Sequence, residues 1–408
     1  MASLSSRFVR EKFAEYYQSD SCLVCAPTSL EKREFGFLLF KDRIMLRHRA
    51  FKNVGDLRAF LGQVVPSDVY YSSAYYERPE REMEEKGWLG ADLVFDIDAD
   101  HIPTPCTKTH DRWICASCGM TGRSLTPQEC PVCGERRFDE KTWPCEVCLE
   151  SAKRETIKLM DMLMEDFGFL SKEISVSFSG HRGYHVHVET EEIRALDQMA
   201  RKEIVDYVVG IGLETGFHGL QSRPVLTGPL LSDSGWRGRL ARGAYDFLLK
   251  APSEELKNVG LEEKQIARIV KYREKLLESW NEAGPWGTMR DIGIEGWRKI
   301  AEHGVEKQAS KIDTVVTTDI HRLIRLGNTL HGKTALRKIE VPIKKIGDFR
   351  PFKDAVAFTE GTVEVLVADA PKFRLGDEVY GPYRKKQVKL PTAAAMLLLC
   401  KKTATVVE

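Results

Sequence analysis

Residues 174–188 read ISVSFSGHRGYHVHV, and this stretch constrains the fold more than any other. Apolar residues alternate with polar ones on both sides of its centre, at Ile174, Val176, Phe178, Val186 and Val188. A period of two predicts strands with one buried face, and the glycines between the two halves permit a tight turn. The stretch therefore predicts a β-hairpin.

The face of this hairpin opposite to Val186 and Val188 carries polar side chains. His185 and His187 share that face, near Ser179 and Arg182. A hydroxyl, an imidazole and a guanidinium beside a glycine turn supply the fixed donors and positive charge that a triphosphate requires. The alternative is an ordinary hairpin with solvated polar residues, and His187 is interpreted as a neighbour without a direct role.

An earlier strand ends in two aspartates. Residues 91–98 read ADLVFDID, and in a strand Asp96 and Asp98 project from the same face. Two carboxylates held so close repel each other, and a bound divalent cation usually offsets this repulsion. A strand end whose aspartates begin a turn is the alternative, because residues 98–100, DAD, are turn-like.

The pattern of apolar residues in the rest of the chain predicts an α+β fold, in which a helical block and a segment held together by bound metal are inserted into a sheet-based core. Strand pattern near 312–316 is followed by a predicted short helix at 320–326, and the last residues resemble a terminal helix. The predicted division is a core in three parts (1–103, 151–190 and 305–385), a zinc-binding segment (104–150), a helical subdomain (191–304) and a C-terminal extension (386–408).

Composition limits the class of protein. The chain has 408 residues, 42% of them hydrophobic, and a formal net charge of +1. This charge excludes a strongly basic coat protein, although local clusters such as residues 237–242 and 383–386 could still contact nucleic acid. No apolar run is long enough to span a bilayer. The sequence therefore predicts an intracellular protein, cytoplasmic in a prokaryote or nuclear in a eukaryote.

Ten cysteines in an intracellular chain indicate metal binding rather than disulfides. Three CxxC pairs provide strong zinc signals, and with two preceding residues they give eight potential ligands: Cys106, His110, Cys115, Cys118, Cys130, Cys133, Cys145 and Cys148. We expect two structural Zn²⁺ ions. Cys22 and Cys25 form a further CxxC without a partner pair, for which a structural role or chance is the favoured interpretation.

Two pairings of these ligands are possible. In the nested pairing, the first two and last two residues hold an outer ion, and the four middle cysteines hold an inner one. In the serial pairing, the first four ligands share one ion and the last four the other. Nesting is favoured because the segment between Cys118 and Cys130 suits two knuckles of one ribbon, and Cys145 and Cys148 lead straight into a helix.

Four ordered motifs resemble one known family. They are REFGF (33–37), VFDID (94–98), SGHRGYHVHV (179–188) and DTVVTTDIHRLIRLGNTLHGKT (313–334), which occur in this order in the catalytic (small) subunit of archaeal and eukaryotic primases. The resemblance implies a primase-type core of mixed and antiparallel sheets with flanking helices. It also implies synthesis of short primers on single-stranded DNA from nucleoside triphosphates, with release of pyrophosphate.

The resemblance also implies residue roles. Asp96, Asp98 and Asp313 match the carboxylates that bind catalytic Mg²⁺ or Mn²⁺. Residues matching those that contact the nucleotide are Arg47, Ser179, Arg182, His185, Arg325, His331 and Lys333. His181 stands where some relatives carry a second arginine, which weakens the charge at that position.

The chemistry of in-line displacement agrees with these roles, since it needs carboxylates for metals and a separate set of cations for phosphates. The family further implies a heterodimer with a primase large subunit, and no membrane association. Two rivals remain: a primase-like repair or plasmid polymerase that acts without a large subunit, and a zinc-ribbon nucleic-acid-binding protein.

Overall fold

The computed structural model describes residues 4–19, 24–220, 226–281, 284–287 and 289–407. Two compact units are distinguished by their internal contacts. The first comprises Met1–Thr156, Ser171–Lys202 and Ile312–Glu408, and the second comprises Ile157–Leu170 and Glu203–Lys311. Cys22 lies outside the described residues, so the interpretation of the CxxC at Cys22 and Cys25 as structural or due to chance stays a prediction.

The described residues form both helices and antiparallel sheets, in agreement with the predicted α+β class. The helices are α1 (Leu4–Gln18), α2 (Val54–Val64), α3 (Thr107–His110), α4 (Glu146–Glu165), α5 (Glu191–Arg194), α6 (Gln198–Val209), α7 (Gly235–Lys250), α8 (Ser253–Asn258), α9 (Glu263–Lys271), α10 (Arg273–Glu278), α11 (Gly293–Gln308), α12 (Thr314–Thr318), α13 (Pro351–Asp354) and α14 (Thr392–Cys400). The strands are β1 (Phe35–Leu38), β2 (Met45–Arg49), β3 (Asp68–Ser72), β4 (Ala74–Tyr76), β5 (Trp88–Ala91), β6 (Leu93–Asp98), β7 (Arg112–Cys115), β8 (Thr121–Arg123), β9 (Phe138–Lys141), β10 (Ile174–Phe178), β11 (Gly183–Val188), β12 (Leu323–Arg325), β13 (Ile339–Glu340), β14 (Thr362–Ala370), β15 (Phe373–Leu375), β16 (Glu378–Tyr380), β17 (Tyr383–Pro391) and β18 (Ala404–Val406).

Two four-stranded sheets form the centre of the first unit. One has the strand order β13-β10-β11-β6 and the other β12-β3-β1-β2. The predicted hairpin is β10–β11, and β11 also pairs with β6, so that His185 lies opposite Asp96 and Gly183 opposite Asp98. This register brings the polar face of the hairpin beside the paired aspartates.

The hairpin turn requires its glycines for two different reasons. Gly180 has a φ of 85°, a left-handed conformation that side chains other than glycine rarely adopt. At Gly183 a Cβ atom would lie 2.2 Å from the backbone oxygen of Ile97, so only glycine allows β11 to approach β6 this closely. The turn therefore fixes where Ser179 and His185 lie relative to β6.

The order of elements after residue 311 differs from the prediction. The predicted strand at 312–316 falls largely on the short helix α12, and the predicted helix at 320–326 contains the strand β12. Valine and threonine favour strands by propensity. Here, however, the Asp313 carboxylate caps α12 by accepting from the backbone N–H of Val315 at 3.0 Å. Leu323–Arg325 instead pairs with β3 at the edge of a central sheet.

The remaining sheets of the first unit are smaller. The order β17-β14-β18 forms a sheet whose buried face packs against the apolar helix α14. The order β8-β7-β9 forms a separate three-stranded sheet within the cysteine-rich segment. The second unit has a core of tryptophan and aliphatic side chains centred on Trp280, Trp286 and Trp297. Among the helices within the described ranges, none is long and apolar enough to cross a membrane.

Candidate active site and metal centres

A cleft of about 180 Å³ in the first unit contains most of the predicted catalytic residues. Strand β6 contributes Asp96 and Asp98, while the hairpin contributes Ser179, His181 and His185. The segment from α12 to residue 331 completes the lining with Val316, Arg322, Leu323, Ile324, Arg325 and His331, beside Tyr70 and Val94. Carboxylates on one strand thus face a set of histidine, arginine and hydroxyl side chains.

Asp313 is fixed to the aspartate strand through its backbone. Its N–H donates to the backbone oxygen of Asp96 at 2.8 Å, and its carboxylate is the N-cap of α12. The three carboxylates act on one another electrostatically, because burial followed by the charges of Asp98 and Asp313 raises the pKa of Asp96 to about 7. Asp96 and Asp98 line the cleft and Asp313 lies close enough to act on Asp96, and carboxylates in such an arrangement are a donor set suited to Mg²⁺ or Mn²⁺.

The raised pKa of Asp96 gives a prediction for the metal-free protein. The folded-state pKa lies above the unfolded value, so this carboxyl group favours the folded state at low pH and loses that contribution as the pH rises towards 7. At pH 8 we expect Asp96→Asn to melt on the order of 2–4 °C above wild type, with a smaller difference at pH 5. Thermal melts in buffer without added Mg²⁺ or Mn²⁺ measure this, and an equal difference at both pH values would contradict it.

The hairpin supplies two of the predicted nucleotide ligands directly to the cleft. The Ser179 hydroxyl accepts from the backbone N–H groups of His181 and Gly183, at 3.3 and 3.2 Å, and so organises the turn. His185 Nε2 lies 3.6 Å from the Asp96 carboxylate. Burial, followed by the positive charge of Lys338, lowers the pKa of His185 well below its ordinary value. A neutral imidazole is therefore placed beside the carboxylate.

Arg325 and His331 also reach the cleft, and Asp68 holds both in place. Arg325 forms an ion pair with the Asp68 carboxylate at 2.7 Å, and Gly332 donates its backbone N–H to the same oxygen at 2.9 Å. Although burial opposes ionisation, Arg325 and His331 hold the pKa of Asp68 well below its usual range. Asp68 starts strand β3 in a sequence without any motif, so no pattern pointed to it.

Arg182 does not line the cleft. Its side chain is fully buried and forms ion pairs with Asp100 at 2.7 Å and Asp111 at 2.9 Å. Its guanidinium also lies 3.5 Å from Cys148 Sγ. Direct contact between Arg182 and a triphosphate stays a prediction. In this structure the side chain links the hairpin turn to the cysteine-rich segment.

Two other predicted nucleotide ligands lie outside the lining. Arg47 is partly exposed and forms a two-pronged interaction with the buried Glu34, at 2.9 and 3.2 Å. Lys333 is exposed and donates its backbone N–H to His331 Nδ1 at 3.0 Å. Their contacts with a nucleotide stay predictions.

Several residues of this site were missed by sequence reasoning. Arg322 and Tyr70 line the cleft, and Lys338 lies buried close by, where its ammonium donates to the backbone oxygen of Arg325 at 2.6 Å. Burial, followed by the charge of Arg325, lowers the pKa of Lys338 to about 7. Arg322 lies within the HRLIR motif and could have been selected from it, whereas nothing in the sequence marks Lys338 as buried.

The eight predicted zinc ligands form two groups, and their grouping is the nested one. The outer group consists of Cys106, His110, Cys145 and Cys148, and the inner group of Cys115, Cys118, Cys130 and Cys133. Within each group all ligand atoms lie within 4.8 Å of one another. Sulfur–sulfur distances of 3.3 to 3.7 Å approach the value of about 3.8 Å expected for thiolates on a tetrahedral zinc ion.

Asp111 orients the only imidazole in these groups. Its carboxylate lies 2.7 Å from His110 Nδ1, while His110 Nε2 lies 3.5 Å from Cys148 Sγ. A carboxylate that holds the far nitrogen of a ligand histidine is a frequent feature of zinc sites, where it fixes the tautomer. The same carboxylate pairs with Arg182 and accepts from the backbone N–H of Trp143 at 3.0 Å. The outer group is thus connected to the hairpin turn through Asp111.

Comparison with known sequences identifies related proteins. A sequence profile described as DNA primase small subunit matches residues 135–343. A DNA primase small subunit of Nitrosopumilus maritimus is 32% identical over 98% of both chains. The DNA primase small subunit of Methanothrix thermoacetophila is 35% identical over the whole of both chains. That of Archaeoglobus fulgidus is also 35% identical, over 98% of this chain and 99% of the relative.

Proposed function

Because the chain belongs to the family of DNA primase small subunits, we propose that it synthesises short primers on single-stranded DNA from nucleoside triphosphates, with release of pyrophosphate. The observation that carries this proposal is one cleft in which Asp96 and Asp98 face Ser179, His185, Arg325 and His331. A nucleotidyl transfer needs both sets of groups, one for metals and one for phosphates.

The carboxylates of Asp96, Asp98 and Asp313 would hold the divalent ions. When bound, Mg²⁺ or Mn²⁺ stabilises negative charge on the attacking and leaving oxygens of an in-line displacement. Asp96 and Asp98 lie two residues apart on β6, and the N–H contact between Asp313 and Asp96 brings in the third carboxylate. The sequence contributes these groups from two distant segments, so the folded sheet is needed to assemble them.

The triphosphate would lie along the opposite wall of the cleft. Arg325 is held rigidly by Asp68 and offers charged donors, while Ser179 and the neutral His185 and His331 offer short-range hydrogen bonds. Groups whose positions are already fixed lose little entropy when the nucleotide binds. Arg182 and Arg47 are engaged with carboxylates in this structure, and their direct contacts with the nucleotide stay predictions.

The two cysteine groups would each hold one structural zinc ion, and the family relationship supports a large-subunit partner that forms a heterodimer with this chain. The zinc ions would take no part in the transfer. They would hold the cysteine-rich segment, which has few apolar side chains of its own, in place beside the hairpin.

Primer synthesis on unprimed single-stranded DNA tests the proposal. The reaction is run with Mg²⁺ or Mn²⁺, with ribonucleoside or deoxynucleoside triphosphates in separate tubes, and with and without the large subunit. We expect short products and released pyrophosphate that both depend on the template. Extension of a supplied primer without initiation, even with the large subunit present, would favour the primase-like polymerase, and complete absence of incorporation would contradict an enzymatic role.

A further inference from the structure

Helix α14 ends beside the wall of the cleft that contains Ser179, His185, Arg325 and His331, along which the triphosphate is proposed to lie and which we call the phosphate wall. Lys401 follows α14 directly, and its ammonium nitrogen lies 2.8 Å from His181 Nε2 and 2.9 Å from the backbone oxygen of Thr142. His181 lines the cleft and is 5% exposed, and its ring stacks on that of His331 with centroids 5.0 Å apart. A lysine that is distant in sequence thus lies directly behind a residue of the cleft.

The position of Lys401 is fixed by packing. Helix α14 is buried along almost its whole length, including Ala394, Met396 and Leu398, which have no exposed surface. The backbone N–H of Lys401 continues the helix by donating to Leu397 at 3.0 Å. The backbone of Lys401 is thereby held in place, and the contacts of its ammonium group with His181 and Thr142 direct the side chain to the cleft.

The contact determines how His181 can act. When the Lys401 amine is protonated, it carries only donors, so Nε2 accepts and the single proton of the neutral ring lies on Nδ1. Burial, followed by the charges of Lys401 and His331, holds the pKa of His181 well below its ordinary value, so the ring itself carries no charge at neutral pH. The positive charge behind this part of the wall belongs to Lys401.

We propose that Lys401 is a positioning residue of the phosphate wall: it fixes His181 with Nδ1 as the donor and adds positive charge behind the ring, which strengthens binding of a nucleoside triphosphate. This inference rests on the proposed function of the cleft. Burial, followed by the charges of Lys333 and Arg182, lowers the pKa of Lys401 to about 7, and a bound polyanion would favour its charged form.

The test is a set of substitutions at positions 181 and 401. The equilibrium affinity for ATP is measured without template, so that no turnover is required. We expect Lys401→Met to weaken binding by about tenfold, as loss of a hydrogen bond from a charged group does. Lys401→Arg should retain most of the affinity. Lys402, the next residue, is exposed, so Lys402→Met is the matched control and should bind ATP as wild type does.

Reciprocal rescue separates this role from a structural one. His181→Arg alone places two cations in contact and should also weaken ATP binding. His181→Arg combined with Lys401→Met leaves one positive charge at this contact, as in wild type. The double variant should recover to within about threefold of wild type, a non-additivity expected of residues in contact. Wild-type affinity in Lys401→Met, or a double variant no better than the worse single one, would overturn the proposal.

A measurement on the unaltered chain keeps the inference testable if the variants fold poorly. The ¹⁵N chemical shifts of the His181 ring should identify the tautomer with the proton on Nδ1, and a proton on Nε2 would overturn the proposal. Failure of the proposed function looks different. A wild-type chain that binds ATP but makes no primer would contradict primer synthesis and leave the role of Lys401 intact. A Lys401→Met chain that makes normal primers with an unaltered KM for the nucleotide would contradict the role of Lys401 and leave primer synthesis intact.

Discussion

Replacing Asp313 by Asn is expected to lower nucleotide incorporation by about a thousandfold while the protein remains folded. The Asp313 side chain also caps α12, where its Oδ1 accepts from the N–H of Val315 at 3.0 Å. An asparagine oxygen caps a helix as well as an aspartate oxygen does. The substitution therefore removes the charge that a divalent ion requires and leaves the local fold intact.

Asp98→Asn should have an effect of similar size for the same reason, because its Oδ1 accepts from the backbone N–H of Asp100 at 3.0 Å and asparagine can keep that contact. The matched control is Asp246→Asn, which removes one carboxylate from the exposed side of α7 and should leave incorporation unchanged. Binding of Mn²⁺, followed by electron paramagnetic resonance, should weaken in parallel with activity. Near-normal activity of Asp313→Asn would show that the third carboxylate has been assigned incorrectly.

Sequence patterns predicted the strands of the central sheet because side-chain alternation depends only on local geometry. The run from Leu93 to Asp98 and the hairpin at 174–188 fold as expected, and the glycine turn lies between the two strands of the hairpin as predicted. The antiparallel pairing of His185 with Asp96 is a non-local feature. The motifs suggested that these residues meet, but only the sheet order gives the register.

The destinations of charged side chains could not be predicted in the same way. Arg182 leaves the turn on the side of Asp100 and Asp111, and the positions of those two carboxylates depend on how the cysteine-rich segment folds. Lys401 reaches His181 from a helix more than two hundred residues away in sequence. Such contacts are determined by the packing of whole elements, about which the local pattern around either residue carries no information.

The short helix α12 illustrates a competition that propensity alone decides wrongly. Val315, Val316 and Thr317 are β-branched and favour a strand. In the folded chain Asp313 is held to β6 by its backbone, caps the following turn and starts a helix instead. Tertiary contacts of a single residue thus override the preference of the three that follow it.

The inner zinc grouping was predictable because the spacing of its ligands is local, whereas the outer group joins ligands from the two ends of the segment, and the sequence favoured that pairing without deciding it. Two thiolates in a CxxC reach one ion, and a glycine-containing connection allows a second pair to face the first. The roles of Asp111 and Asp68 were not predictable, because a carboxylate that orients a ligand or an arginine has no spacing signature.

Loss of the outer zinc group is expected to abolish primer synthesis, whereas loss of the inner group should leave it nearly unchanged. The outer group contacts the β10–β11 hairpin, since His110 is oriented by Asp111 and Asp111 pairs with Arg182. The inner group lies within the small sheet β8-β7-β9, with Cys115 on β7 and its other three cysteines in the connections between the strands. We therefore expect Cys106→Ser to reduce activity by at least about a hundredfold, as a lost structural ligand also destabilises the surrounding fold.

Cys118→Ser is the matched variant, because it removes one thiolate from the inner group in the same segment. Elemental analysis should find two zinc ions in wild type, one in either single variant and none when both substitutions are combined. Serial pairing would place Cys106 and Cys118 on the same ion, so the combined variant would retain one. If the Cys118→Ser chain were as inactive as the Cys106→Ser chain, with both still folded, the inner group would also support the β10–β11 hairpin.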